Sequence, residues 1–119
     1  VRAGDLAEAW CGLRAEDVPA LVAELRRRHS GVAILHCGAG VNFAAGFGQL
    51  HRVNVGATTE MLKLAVAVAT VRSSTDSQGV DFVFVSSSDA AKAERAAVSN
   101  EATGAYGLTK LASEARVHA

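Results

Sequence analysis

A tyrosine and a lysine four residues apart are the side chains of this sequence best suited to chemistry. Tyr106, the only tyrosine in the chain, precedes Lys110 by one helical turn, so on a helix the two side chains share a face. A nearby ammonium group favours the phenolate and lowers the pKa of a tyrosine, which is ordinarily about 10. Such a tyrosine can give a proton to a carbonyl oxygen as hydride reaches the carbon. The pair predicts proton transfer to a carbonyl, and an ordinary pair on a helix surface is the alternative.

Small and hydroxyl-bearing residues follow two segments that read as buried strands. The apolar run at 32–37 ends in Gly-Ala-Gly at 38–40, and the run at 80–85 ends in three serines at 86–88. In an open parallel sheet, ligands bind beyond the carboxyl ends of the strands. Glycine and alanine let a ligand approach the backbone, and serine offers hydrogen bonds. Phe43 stands in place of the third glycine of a dinucleotide fingerprint, so the glycines alone do not predict such a site.

Helices are predicted between and around these strands. Apolar residues recur at helical spacing over 16–28, 49–70 and 106–115, and three arginines at 26–28 end the first helix, where solvent is the expected environment. The polar segment 71–79 reads as a loop. Alternating helices and strands predict an α/β fold, a Rossmann-like parallel sheet with helices on both faces.

Composition excludes several classes of function. Twelve Lys and Arg balance twelve Asp and Glu, so the chain has no basic surplus for nucleic acid or an anionic membrane. The longest apolar run is far short of the roughly 20 residues that a bilayer span needs. The cysteines at 11 and 37 are expected to be free, buried thiols of a reducing, cytoplasmic environment. No His and Cys stand at the spacing of a zinc site, so no metal is predicted.

Five short motifs together resemble the extended short-chain dehydrogenase/reductase superfamily, and within it the thioester reductase branch. That branch includes the terminal reductase domains of nonribosomal peptide synthetases, carboxylic acid reductases and aminoadipate reductases, and it is related to fatty acyl-CoA reductases. The run at 36–43 favours this branch over sugar epimerases. The motifs are GDL at 4–6, ILHCGAGVNF at 34–43, NVGAT at 54–58, FVSS at 84–87 and YGLTK at 106–110.

The resemblance implies a cofactor site made by two segments. Asp5 would end a strand and contact the adenine, with Leu6 beside it. Gly38 and Ala39 would pass under the ribose and phosphates. The resemblance favours NADP(H) over NAD(H) as the cofactor.

The resemblance also implies roles for the catalytic residues. Ser87 would hydrogen-bond the substrate carbonyl, with Ser88 a neighbouring substrate contact, because the alignment of the three serines is ambiguous by one residue. Tyr106 would be the acid, and Lys110 would lower its pKa and hold the nicotinamide ribose, so that both side chains border the cofactor. Asn54 would help to position the catalytic helix or its water.

A thioester reductase would act on an acyl group carried by a phosphopantetheine carrier domain or by coenzyme A. The first hydride would give a hemithioacetal, which collapses to an aldehyde and releases the thiol. The family opens with a strand and a Gly-rich turn that bind the pyrophosphate, and no residue before Val1 supplies them. We therefore expect residues 1–119 to be the central part of a single NAD(P)-binding reductase domain in a multidomain protein.

Two other functions stay open at this point. The first is an extended short-chain dehydrogenase or epimerase acting on a nucleotide sugar or a small ketone, because the tyrosine and lysine motif is common to the whole superfamily. The second is a noncatalytic Rossmann-like module.

Overall fold

Helices and strands alternate along most of the chain. The computed structural model describes residues 4–71, 79–99 and 104–119. These residues form six main elements, which are α1 (Val18–Arg28), β1 (Val32–His36), α2 (Phe47–Thr70), β2 (Val80–Phe84), α3 (Ser88–Ser99) and α4 (Ala105–His118).

The two strands lie side by side and run in the same direction. Val32 lies opposite Val80 at one end of the sheet, and His36 lies opposite Phe84 at the other. Parallel strands need a crossover connection, and α2 lies between β1 and β2 in the chain. The predicted α/β fold with a parallel sheet is confirmed, as a partial Rossmann-like arrangement.

Most predicted elements are found within two or three residues of their expected ends. The helix expected over 16–28 begins with a 3-10 turn at Ala15–Asp17, and Pro19 lies at the start of α1, where proline is tolerated. Of the loop expected at 71–79, residues 72–78 lie outside the described part of the chain.

Helix α3 was not predicted from the sequence. Where the structure describes the burial of its side chains, the buried residues of α3 are alanines, namely Ala90, Ala93 and Ala96, while neighbouring alanines such as Ala91 are exposed. Because alanine occupies both the buried and the exposed side of the helix, no hydrophobic stripe stands out in the sequence.

The expectation of helices on both faces of the sheet is wrong for the described residues. Side chains alternate between the two faces along a strand, and the helices cover the face that carries Ile34 and His36. On the other face, Leu35 is 63% exposed and Val83 is 48% exposed. Both strands therefore carry apolar side chains on a face that the described helices do not cover.

An apolar cluster occupies the amino end of the sheet. Val18 and Val22 of α1 pack against Val68 of α2, with Val32 and Val80 partly buried beside them. Arg26 is buried at this end and its Nε donates to Val68 O at 2.7 Å. The expected solvent exposure is therefore wrong for Arg26, because its guanidinium binds a carbonyl in the last turn of α2, where a helix attracts positive charge.

Both cysteines are free thiols, as predicted. Their predicted burial is wrong for Cys37, which is exposed, whereas Cys11 is half-buried. Cys37 follows the last residue of β1, so it points away from the side that buries His36. None of the described helices is both long and apolar enough to cross a membrane.

Candidate functional site

The carboxyl ends of the two strands lie next to each other and carry the predicted site. His36 and Phe84 are paired in register, so the loop after β1 and the serines after β2 begin at the same edge of the sheet. Val85 N donates to His36 O at 3.1 Å and extends the pairing by one residue. The parallel register therefore brings the glycine loop and the serine run together.

Lys110 is buried at this edge, with only 3% of its surface exposed. Its Nζ donates to Val85 O at 2.7 Å and lies 4.2 Å from the centre of the Phe84 ring. Burial lowers the pKa of Lys110 below its ordinary 10.5, and negative charge on Glu114 and Cys37 opposes this shift. A carbonyl and an aromatic face thus hold the ammonium group directly beyond β2.

Tyr106 lies one turn before Lys110 on α4 and is half-buried. Its ring meets the ring of Phe43 edge-on, with 5.0 Å between the ring centres. Phe43 itself is 71% exposed and belongs to the loop that follows β1. Sequence reasoning missed Phe43 as a neighbour of the tyrosine. The available signal was one aromatic residue in a loop of small residues.

Asn54 joins the loop after β1 to α4. Its Oδ1 accepts from Gly40 N at 2.6 Å, and its Nδ2 donates to Gly40 O at 3.4 Å and to Thr109 Oγ1 at 3.0 Å. Asn54 is 2% exposed and Thr109 is fully buried. The structure therefore places Asn54 against the helix that carries Tyr106 and Lys110.

His36 adds a third element to this polar cluster. Its Nε2 lies 3.1 Å from Thr58 Oγ1, and Thr58 Oγ1 donates to Asn54 O at 2.8 Å. Because the threonine hydroxyl has one hydrogen, it accepts from His36, which therefore carries its proton on Nε2. Burial first, and the charge of Lys110 second, lower the pKa of His36 below its ordinary 6.5.

The three serines after β2 have different environments. Ser86 Oγ is buried and has no hydrogen-bond partner among the described residues. Ser87 is half-buried, and its Oγ accepts from Asp89 N at 3.2 Å at the start of α3. Ser88 is exposed and begins α3. Ser87 retains its hydrogen for donation to another group, and its assignment as the carbonyl donor stays a prediction.

A glycine allows α4 to approach the first turns of α3. A Cβ on Gly107 would lie 2.5 Å from Asp89 O and 3.4 Å from Ala93 Cβ, and the first of these distances is too short for any side chain. Gly107 follows Tyr106 directly, so the close packing of α3 on α4 depends on the residue beside the tyrosine. Sequence reasoning did not assign this role.

The two segments predicted to contact the cofactor are adjacent. The side chain of Leu6 fills the space that a Cβ on Gly38 would need, with Leu6 Cδ1 at 2.5 Å from that position. Asp5 is exposed, and its Oδ1 accepts from Ala7 N at 2.8 Å. Ala39 is partly exposed in the loop beyond β1. The structure therefore brings residues 5–6 against the glycine loop, and their cofactor contacts stay predictions.

The donor set at this edge fits a cofactor with ribose and phosphate groups. An ammonium group has three hydrogens, and Lys110 uses one of them on Val85 O. Residues 38–40 have no side chain larger than a methyl group and are partly exposed, so a ligand can approach their backbone.

Comparison with known proteins supports the binding of a nicotinamide cofactor. The sequence profile of the family described as male sterility protein, a family of NAD-binding domains, matches residues 1–119. No curated protein matches the chain. Membership of this family indicates an NAD(P)-binding domain and an activity of the reductase type. The chain therefore belongs to the male sterility protein family, within the extended short-chain dehydrogenase/reductase group.

Proposed function

We propose that this chain belongs to an NADPH-dependent reductase that converts a thioester into an aldehyde. The observation that carries the proposal is the buried Lys110 ammonium, held at the end of β2 one helical turn after a half-buried tyrosine. A tyrosine near a fixed positive charge is well suited to proton transfer to a carbonyl, because the charge favours the tyrosinate that the transfer leaves. The domains of this family bind NAD(P), which supports a nicotinamide cofactor as the source of the hydride.

The proposed reaction assigns one task to each side chain. Bound NADPH would supply the hydride. Ser87 would donate a hydrogen bond to the thioester oxygen, and Tyr106 would give that oxygen a proton as the carbon accepts the hydride. Lys110 would favour the tyrosinate and hold the cofactor ribose with the hydrogens that Val85 O does not use. The product of this step is a hemithioacetal.

The hemithioacetal then loses its thiol. The carbon–sulfur bond breaks, the oxygen forms the aldehyde carbonyl, and the hydroxyl proton passes to the sulfur. The balance is one hydride and one proton for each aldehyde and thiol. We propose that the thiol belongs to a phosphopantetheine carrier domain or to coenzyme A, and that NADP(H) is the cofactor rather than NAD(H). The resemblance of residues 36–43 to thioester reductases supports this substrate class.

Replacing Tyr106 by phenylalanine tests the proposal. In the full-length protein, Tyr106→Phe should lower the rate of NADPH oxidation with an acyl-CoA by about 100-fold or more, because the proton donor is removed. NADPH binding, followed by nicotinamide fluorescence, should change little, since the ring and its contact with Phe43 are kept.

Three results would contradict the proposal. Retained turnover in Tyr106→Phe would exclude the tyrosine as the acid. Turnover of a nucleotide sugar or a small ketone, without turnover of acyl-CoA or an acyl-carrier thioester, would assign another substrate class. A fluorescence titration of the wild-type protein without a saturable change would indicate a noncatalytic module.

A further inference from the structure

The Thr109 hydroxyl lies between the loop 38–40 and the pair Tyr106 and Lys110, and Thr109 is not one of the predicted site residues. It is fully buried on α4, between Tyr106 and Lys110 in sequence. Its Oγ1 donates to Tyr106 O at 2.8 Å and lies 3.0 Å from Asn54 Nδ2. Through Asn54 the contact continues to Gly40.

The chemistry of the donors and acceptors determines the direction of each hydrogen bond in the series that runs from Tyr106 to Gly40. Thr109 gives its single hydroxyl hydrogen to Tyr106 O, so towards Asn54 it can only accept. Gly40 N–H can only donate, so it must face the amide oxygen of Asn54, at 2.6 Å. The Asn54 amide is therefore oriented from both ends, and a flipped amide would lose both bonds.

Burial makes this arrangement rigid. Asn54 is 2% exposed and Thr109 is fully buried, so water cannot readily replace a missing partner. A buried polar group that loses its partner bears the cost of desolvation without compensation. Removing the threonine hydroxyl would thus leave the Asn54 amide bound only to Gly40, so that α4 no longer fixes the position of the amide or of the loop it holds.

We propose that Thr109 is a positioning residue, whose hydroxyl, through Asn54, sets the loop 38–40 at a constant distance from Tyr106 and Lys110. The inference rests on the proposed function, because it is hydride and proton delivery that need the loop and the acid in one geometry. Misplacement by about 1 Å can cost a factor of about 100 in rate. Thr109 touches neither substrate nor cofactor in this proposal.

Ser113 provides a matched control on the same helix. It is also fully buried, and its Oγ donates to Thr109 O at 2.8 Å, an intrahelical bond like that of Thr109 to Tyr106 O. Ser113→Ala therefore removes a buried hydroxyl from α4 without touching the Asn54 amide. A purely structural role of buried hydroxyls would make Ser113→Ala and Thr109→Val behave alike.

The test compares Thr109→Val, Thr109→Ser and Ser113→Ala in the full-length protein. Amide hydrogen exchange at Gly40 reports the loop independently of activity. In Thr109→Val we expect Gly40 to exchange about tenfold faster, and kcat for acyl-CoA reduction to fall about tenfold, with KM within about threefold of wild type. Thr109→Ser should restore both quantities, and Ser113→Ala should leave both within about threefold of wild type.

The outcomes separate this inference from the proposed function. Unchanged Gly40 exchange in Thr109→Val, or Thr109→Ser behaving like Thr109→Val, would overturn the positioning role. If Thr109→Val does not fold, Thr109→Ala takes its place in the test, because alanine removes the hydroxyl without putting a methyl group where the hydroxyl was. A wild-type protein that reduces no thioester would refute the proposed function, while the exchange of Gly40 would still decide whether Thr109 holds the loop.

Discussion

The two ends of helix α2 differ in that only one of them buries polar side chains of the helix. Near the carboxyl ends of the strands, Asn54 and Thr58 are buried polar residues whose side chains have hydrogen-bond partners. Near the amino ends, Val68 packs against Val18 and Val22. Buried polar groups add little net stability when paired but constrain geometry, whereas buried apolar groups stabilise without directional demands. The comparison predicts that variants at the polar end affect catalysis and that variants at the apolar end affect stability.

Lys110→Met should produce the largest effect, at the polar end. We expect acyl-CoA reduction to fall about 100-fold or more, because the charge that favours the tyrosinate is lost. The free energy of unfolding should change by less than about 1 kcal/mol, because a buried ammonium bears a desolvation cost that methionine does not. Steady-state kinetics and denaturant unfolding measure the two quantities.

Lys63→Met is the control for this variant. Lys63 lies on α2, is exposed, and its Nζ pairs with Glu60 Oε1 at 2.6 Å. Its loss should leave turnover unchanged and cost less than about 1 kcal/mol, as for other surface ion pairs. Equal losses of turnover in the two lysine variants would refute a specific role for Lys110.

Val68→Ala should have the opposite signature, at the apolar end. Val68 has no exposed surface, so removing two of its carbons should lower the free energy of unfolding by about 2 kcal/mol, through lost burial and a small cavity. The rate per folded molecule should stay at the wild-type value. The control is Val66→Ala, an exposed valine two residues earlier, which should change stability by less than about 0.5 kcal/mol. A fall in kcat for Val68→Ala would break the comparison.

His36 should give the smallest effect, and it depends on pH. Its pKa is lower in the folded protein than its ordinary 6.5, so below pH 6.5 the unfolded chain binds more protons than the folded one. Stability should therefore be fully present above pH 6.5 and decline as the pH falls towards the folded pKa. His36→Gln, which can still donate to Thr58, should lose less stability between pH 7.5 and pH 5.5 in denaturant unfolding. Equal losses in both proteins would contradict the shift.

Much of the fold could be predicted from local patterns. The helices at 16–28, 49–70 and 106–115 were found because apolar residues recur there at helical spacing, and both strands were found because each is a short continuous apolar run. Helix α3 was missed because alanine covers both of its sides. Cover on both faces of the sheet was wrong, since the side chains of Leu35 and Val83 are exposed although they look like core residues.

The candidate site likewise has one part that could be predicted from local patterns and one part that could not. Motifs singled out Tyr106, Lys110, Asn54 and the serines at 86–88. Thr109 and Gly107 lie inside one of those motifs, yet nothing in residue type or spacing revealed that one meets Asn54 and the other meets the backbone of Asp89. Contacts between elements distant in sequence depend on how the helices pack, and no local pattern encodes that packing.

By itself, the sequence determined which residues could do chemistry and which elements carry them, because side-chain type and periodicity are local properties. The tertiary structure alone decided the environments of those residues. Parallel pairing of β1 with β2 set the glycine loop beside the serines, and the packing of α4 buried the Lys110 ammonium against Val85 O. Burial, hydrogen-bond direction and pKa shifts all arise from neighbours far apart in the chain, so they exist only in the folded protein.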